Sequence, residues 1–117
     1  MYGNNSKVKV FQNALDDYGN DILHARLKFD VERKLKQFSL MLTTKTEYDA
    51  RVVELEIVRF DCAHGHLHMH RFYRKPHTTE KIVMGISIET VQELIGQIRE
   101  NCSVWKKAFM ENYEVLK

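Results

Sequence analysis

Chain-breaking residues are scarce: one proline and five glycines are spread through 117 residues. That leaves little room for a flexible linker or a low-complexity tail, so a single domain over residues 1–117 is expected. The two cysteines, Cys62 and Cys102, fit neither a disulfide framework nor a CxxC metal or redox pattern, and are expected as reduced thiols. No apolar run approaches the roughly 18 residues of a membrane span. The first residues, "MYGNNSKVKVF", lack the apolar centre of a signal peptide. The expectation is therefore a cytoplasmic protein with no membrane contact. Charge of one sign is also lacking, since the net charge is only +2. Partners must be sought in local clusters instead: Arg26, Lys28, Arg33, Lys34 and Lys36, then Arg71, Arg74 and Lys75.

What is present is alternation. At 44% hydrophobic the chain can bury an ordinary small-domain core. Leu23, Ala25, Leu27, Phe29 and Val31 alternate with polar residues, as do Phe38, Leu40 and Leu42, and then Val53, Leu55 and Ile57. A period of two marks half-buried strands. "KTEYDA" reads as the turn between the second and third of these, while residues 1–20 suit either a short strand or a helical turn. A His-rich strand and a short "KIVMGI" follow. From Ile86 the period changes. Ser87 suits a helix N-cap, with Ile86 and Val91 at the flanking staple positions, and Val91, Leu94, Ile95 and Ile98 form one stripe. A break near Asn101–Ser103 is expected before a second helix carrying Trp105, Phe109 and Tyr113. Strands first and helices after predict an α+β domain. Its expected form is an antiparallel meander of four to five strands, mainly over 22–85, with one or two helices, mainly over 87–115, packed on one face.

Four of the six histidines, His64, His66, His68 and His70, occupy every second position of "DCAHGHLHMHRF". A hairpin with loop Cys62–Gly65 would oppose Asp61 to His66, Arg59 to His68, Ile57 to His70 and Leu55 to Phe72. Opposed residues share a face. Arg59, Asp61, His66 and His68 then form an ionisable patch beside His70, with Leu55, Ile57 and Phe72 at its apolar end. Val58, Phe60, Leu67 and Met69 fall on the other face, along with a Glu56–Arg71 ion pair.

Two chemistries suit such a patch. Alternate histidines on a strand stand about 7 Å apart and can share an ion, but His66 and His70, about 13 Å apart, cannot. A metal site would use His66, His68 and Asp61. Metal-independent cleavage of an RNA phosphodiester needs a base, an acid and a cation, for which the histidines and Arg59 are suited, with Asp61 orienting an imidazole. The catalytic candidates are Arg59, Asp61, His64, His66, His68 and His70. No cofactor is required on this reading, and a divalent metal is the alternative.

The stretch "VVELEIVRFDCAHGHLHMHRF", followed by "SIETVQELIGQIREN", resembles TumE-type toxins of toxin–antitoxin modules and related small prokaryotic proteins. Their pattern is a strand ending in Arg-(Tyr/Phe)-Asp, a loop often containing His-Gly, a His-rich strand and a C-terminal helix. The matching positions are Arg59, Phe60, Asp61, His64, Gly65, His68 and His70, within roughly residues 34–101. Phe60 and Cys62 depart from the common tyrosine and asparagine. The resemblance implies an α+β fold, action on RNA and an antitoxin partner. A homodimer is expected, and the alternative readings are a non-enzymatic homo-oligomeric binding protein and a metal-binding protein using the His-x-His strand.

Overall fold

The computed structural model describes residues 6–63 and 65–112. Six strands and one helix follow in order: β1 (Lys7–Ala14), β2 (Asp21–Phe29), β3 (Leu35–Tyr48), β4 (Arg51–Ala63), β5 (His66–Arg71), β6 (Thr78–Ile82) and α1 (Ile88–Asn112). Each strand pairs antiparallel with the next, giving a six-stranded meander with α1 packed over β3 and β4. The expected α+β class and the antiparallel meander are both present, with one or two more strands than expected. The additional pairing begins in the ambiguous N-terminal region, which forms β1. That strand is an edge. Nearly all of it is exposed, and Lys7 and Lys9 hinder addition of a further strand.

The alternation seen in the sequence separates the two sheet faces. Leu23, Ala25 and Leu27 of β2, Phe38, Leu40 and Leu42 of β3, Val58 and Phe60 of β4, and Leu67 and Met69 of β5 are buried beneath the helix. Burial of such side chains stabilises by about 1.5–3 kcal/mol each. The helix supplies Val91, Leu94, Ile98, Cys102, Trp105 and Phe109 from one stripe. It is continuous, so the expected break at Asn101–Ser103 is overturned. Cys102 faces the core and keeps the stripe in phase. Asn101 turns its side-chain amide back to the Gln97 carbonyl at 2.9 Å. Tertiary burial here outweighs the weak local preference against helix. Tyr113 lies outside the described residues. No helix among them is long and apolar enough to cross a membrane.

Both helix ends are tied down. Ser87 Oγ accepts the Thr90 N–H at 3.2 Å, the N-cap expected from the sequence. Ile86 and Val91 both join the core. Further along, Lys106 Nζ lies 3.0 Å from Asp21 Oδ1, which also accepts the Thr44 hydroxyl at 2.7 Å. Near the C-terminal end, Asn112 Nδ2 donates to the Tyr73 carbonyl at 2.8 Å and Trp105 stacks on Tyr73. These contacts fix the segment that leaves β5.

Two turns correct the sequence expectation. β3 runs to Tyr48, which pairs with Arg51, so "KTEY" belongs to the strand. The turn is only Asp49-Ala50, both at positive φ (53° and 61°), as a two-residue hairpin turn of the primed type requires. Between β4 and β5, Ala63 pairs with His66, leaving a two-residue connection with Gly65 at φ 78°. The expected loop was four residues long, so the pairing is displaced by two.

Candidate functional site: the open face of the sheet

The face away from α1 has no second layer among the described residues, and the candidate residues meet there. The two-residue displacement preserves side-chain parity and changes only the partners. Asp61 is opposite His68, and Arg59 is opposite His70. Arg59, Asp61, His66, His68 and His70 therefore share one face, as the alternation implied. His64 lies outside the described residues.

Of the three residues expected at the apolar end of the patch, Leu55 and Ile57 leave it and Phe72 stays beside His70. A bulge falls where Leu42 pairs with Val58 and Thr43 with Glu56, leaving Ile57 as the extra residue. Ile57 is fully buried, and Leu55 packs against the core. The bulge also brings Glu56 onto the open face. There it receives Arg59 Nε at 2.5 Å and Nη2 at 2.7 Å. The expected Glu56–Arg71 pair does not form. Arg71 is opposite Val58 and pairs with Glu80 of β6.

His70 is held at both nitrogens. Nε2 lies 3.2 Å from Asp61 Oδ2, and Nδ1 lies 3.2 Å from the Thr79 hydroxyl on β6. Its ring stacks on Phe72, 5.9 Å between centroids, and the Arg59 guanidinium stands over the same Phe72 at 5.8 Å. Arg59 Nη1 is 4.0 Å from Asp61 Oδ2. Asp61 Oδ1 is buried with no hydrogen-bond partner among the described residues, beside a cleft of about 170 Å³ lined by Arg26, Gln37, Phe38, Ser39 and Cys62.

His68 differs from His70. Its Nδ1 is 3.1 Å from the His66 carbonyl. A carbonyl only accepts, so Nδ1 carries the proton and neutral His68 keeps its lone pair on Nε2. His66 is exposed. Across the histidine strand the imidazoles lie in a row instead of converging. Among the described residues, no three His, Cys, Asp or Glu side chains stand close enough to hold one ion. Cys62 is half-buried, and burial raises its thiol above the usual range, which disfavours a thiolate nucleophile.

Register also adds residues that sequence reading did not place at the site. Arg26, Ser39, Asp61, His68 and Lys81 form one cross-strand row, and His24, Met41, Arg59, His70 and Thr79 form the next. His24 Nε2 lies 2.9 Å from both Thr43 Oγ1 and Glu54 Oε1, while the Thr43 hydroxyl donates to the same Glu54 oxygen at 2.7 Å. The Thr43 hydroxyl, with help from His24, holds the Glu54 carboxyl below its ordinary range. The sequence signal for these residues was the polar phase of β2, with His24, Arg26 and Lys28 alternating against Leu23, Ala25 and Leu27.

The first basic cluster divides between the open face and a turn. Arg26 and Lys28 occupy the face, whereas Lys34 pairs with Glu32 in the β2–β3 turn and Lys36, at the start of β3, pairs with Asp30 of that turn. The Asp30 carboxylate accepts the Glu32 and Lys34 N–H groups there, and these bonds lower its pKa.

No curated protein and no solved structure matches the chain. A family described as a domain of unknown function, DUF7718, matches residues 5–115, and the chain belongs to that family.

Proposed function

We propose that this protein handles RNA on the open sheet face and cleaves it without a metal, as a toxin-like member of a toxin–antitoxin module with an antitoxin partner. The observation that carries the reading is the block formed by two adjacent cross-strand pairs, Arg59 with His70 and Asp61 with His68. Its members divide the work. His68, with Nε2 unprotonated in the neutral ring, takes the proton of the 2′-hydroxyl. His66, about 7 Å away along the same face, is the candidate acid for the leaving oxygen. Asp61 orients His70, and His70 with Phe72 braces Arg59. Glu56 occupies two Arg59 donors, so Arg59 offers the phosphate one edge of its guanidinium, and Lys81 opposite His68 supplies further positive charge.

The test is scission of end-labelled single-stranded RNA in excess chelator by the wild type and by a His68→Ala/Arg59→Ala double variant. Loss of general base catalysis lowers the rate about 10²-fold or more. Retention of both scission and growth inhibition by the double variant defeats the proposal.

One observation favours a second reading, a homo-oligomeric binding protein without turnover. His68 and His70 stand on the open sheet surface, and the Arg59 charge is already met by Glu56. That reading expects binding with no scission.

A further inference from the structure

The open face is divided by charge. Toward the β3–β4 turn its acids are met from within, Glu54 by His24 and Glu56 by Arg59. Toward the β2–β3 turn Lys28 and Arg26 stand on β2, His66 and His68 on β5, and Lys81 on β6. Lys28, Arg26 and Lys81 have no ion-pair partner among the described residues, and Asp61 is the one acid in the cross-strand row that joins Arg26 to Lys81. The histidine strand thus lies between two uncompensated basic flanks. β2 and β6 are four strand spacings apart, about 19 Å at roughly 4.8 Å per spacing.

We infer that Arg26, Lys28 and Lys81 form a phosphate track that carries single-stranded RNA across the strands, perpendicular to β5, over His66 and His68. The track rests on RNA being the ligand proposed above, and it specifies the path and the phosphate contacts of that ligand. A run of phosphates laid along β5 would pass Lys81 and Arg59 beside the histidines and leave Arg26 and Lys28 on β2 unused. A run laid across the sheet meets Lys81 one strand spacing from His68 and Arg26 three spacings away beyond Asp61, which holds the RNA strand on both sides of the scissile phosphate. Exposed Arg26 and Lys81 are free to reorient toward phosphates, and their uncompensated charge is a counterpart to a polyanion. Duplex RNA presents its phosphates on a rigid cylinder, whereas a single strand can lie flat on an open sheet.

The experiment is the salt dependence of binding of a fluorescent single-stranded RNA of about eight nucleotides, within the length one small domain can occupy. Wild type, Arg26→Ala/Lys81→Ala and Lys45→Ala are compared by anisotropy. Lys45 lies on the same face at its acid-rich end, opposite Glu54. Each lost phosphate contact reduces the slope of log K against log salt by about 0.7, so the double variant is expected to lose about 1.4. Lys45→Ala is expected to keep the wild-type slope. An unchanged slope in the double variant, or no RNA binding by the wild type, overturns the track. A reduced slope with no scission by any protein supports the track and overturns cleavage alone. Scission with an unchanged slope overturns the track alone.

Discussion

His70 is paired across the strands with Arg59, yet its Nε2 reaches Asp61 Oδ2, one row away, at 3.2 Å. Asp61 Oδ1 stays buried, with no hydrogen-bond partner among the described residues. A hydrogen bond to a charged group contributes about 1.5–3 kcal/mol, and an unmet buried oxygen costs about 1–3 kcal/mol, so the two nearly cancel for a partly exposed residue. Asp61→Ala is therefore expected to move the unfolding free energy by less than about 1 kcal/mol while weakening the proposed RNA scission or binding. Urea denaturation beside the RNA assay checks this. A loss above about 2 kcal/mol, with RNA handling intact, would make Asp61 a folding residue.

Ile57 provides a sharper structural test. In a regular strand, residues three apart point to opposite faces, and Glu56 could not grip Arg59. The extra residue at Ile57 restores them to one face, and this residue is itself fully buried. Ile57→Ala is expected to cost about 2–5 kcal/mol, as for other buried isoleucines. Ile57→Lys would bury an unpaired charge and prevent folding. Uninterrupted alternation would instead put Ile57 on the open face with Arg59, where Lys is tolerated. A folded Ile57→Lys protein with near-native melting would rule out the bulge.

These residues show how far the sequence could be read. Alternation in β2, β3, β4 and β5 was visible because one sheet face is buried and the other is not, and it correctly grouped Arg59, Asp61, His66, His68 and His70. Pairing was less legible. A connection of two or four residues gives the same parity, so the sequence did not distinguish Asp61 opposite His68 from Asp61 opposite His66. The bulge had no local sign, because Leu55, Ile57 and Val58 are all apolar and any of them fits the core. The placement of Arg26 and Lys81 in one row depends on register carried across five strands, β2 to β6, which no single stretch encodes. The helix was missegmented for the opposite reason: Asn101 and Ser103 carry a local break signal, and burial of Cys102, Trp105 and Phe109 overrides it.

Acidification should reveal the second centre of the open face. Thr43 and His24 together hold Glu54 below its ordinary pKa, with Lys45 adding a weaker attraction. A carboxyl depressed in the folded state stabilises the fold above its unfolded value, about 4.3 for glutamate, and that contribution is lost as pH falls through the folded value. Glu54 is partly solvated, with a side chain 40% exposed, so its share is under about 1 kcal/mol. Glu54→Gln is expected to melt slightly below the wild type at pH 6–7, and the gap should close steadily between about pH 5 and pH 2. Asp16 and Asp30 are depressed by backbone N–H groups and weaken both proteins in acid, so the difference between the melts is the quantity to follow. A gap that stays constant down to pH 2 would show that Glu54 contributes through packing and not through its charge. A gap that widens would reverse the sign of the shift and remove Thr43 as its cause.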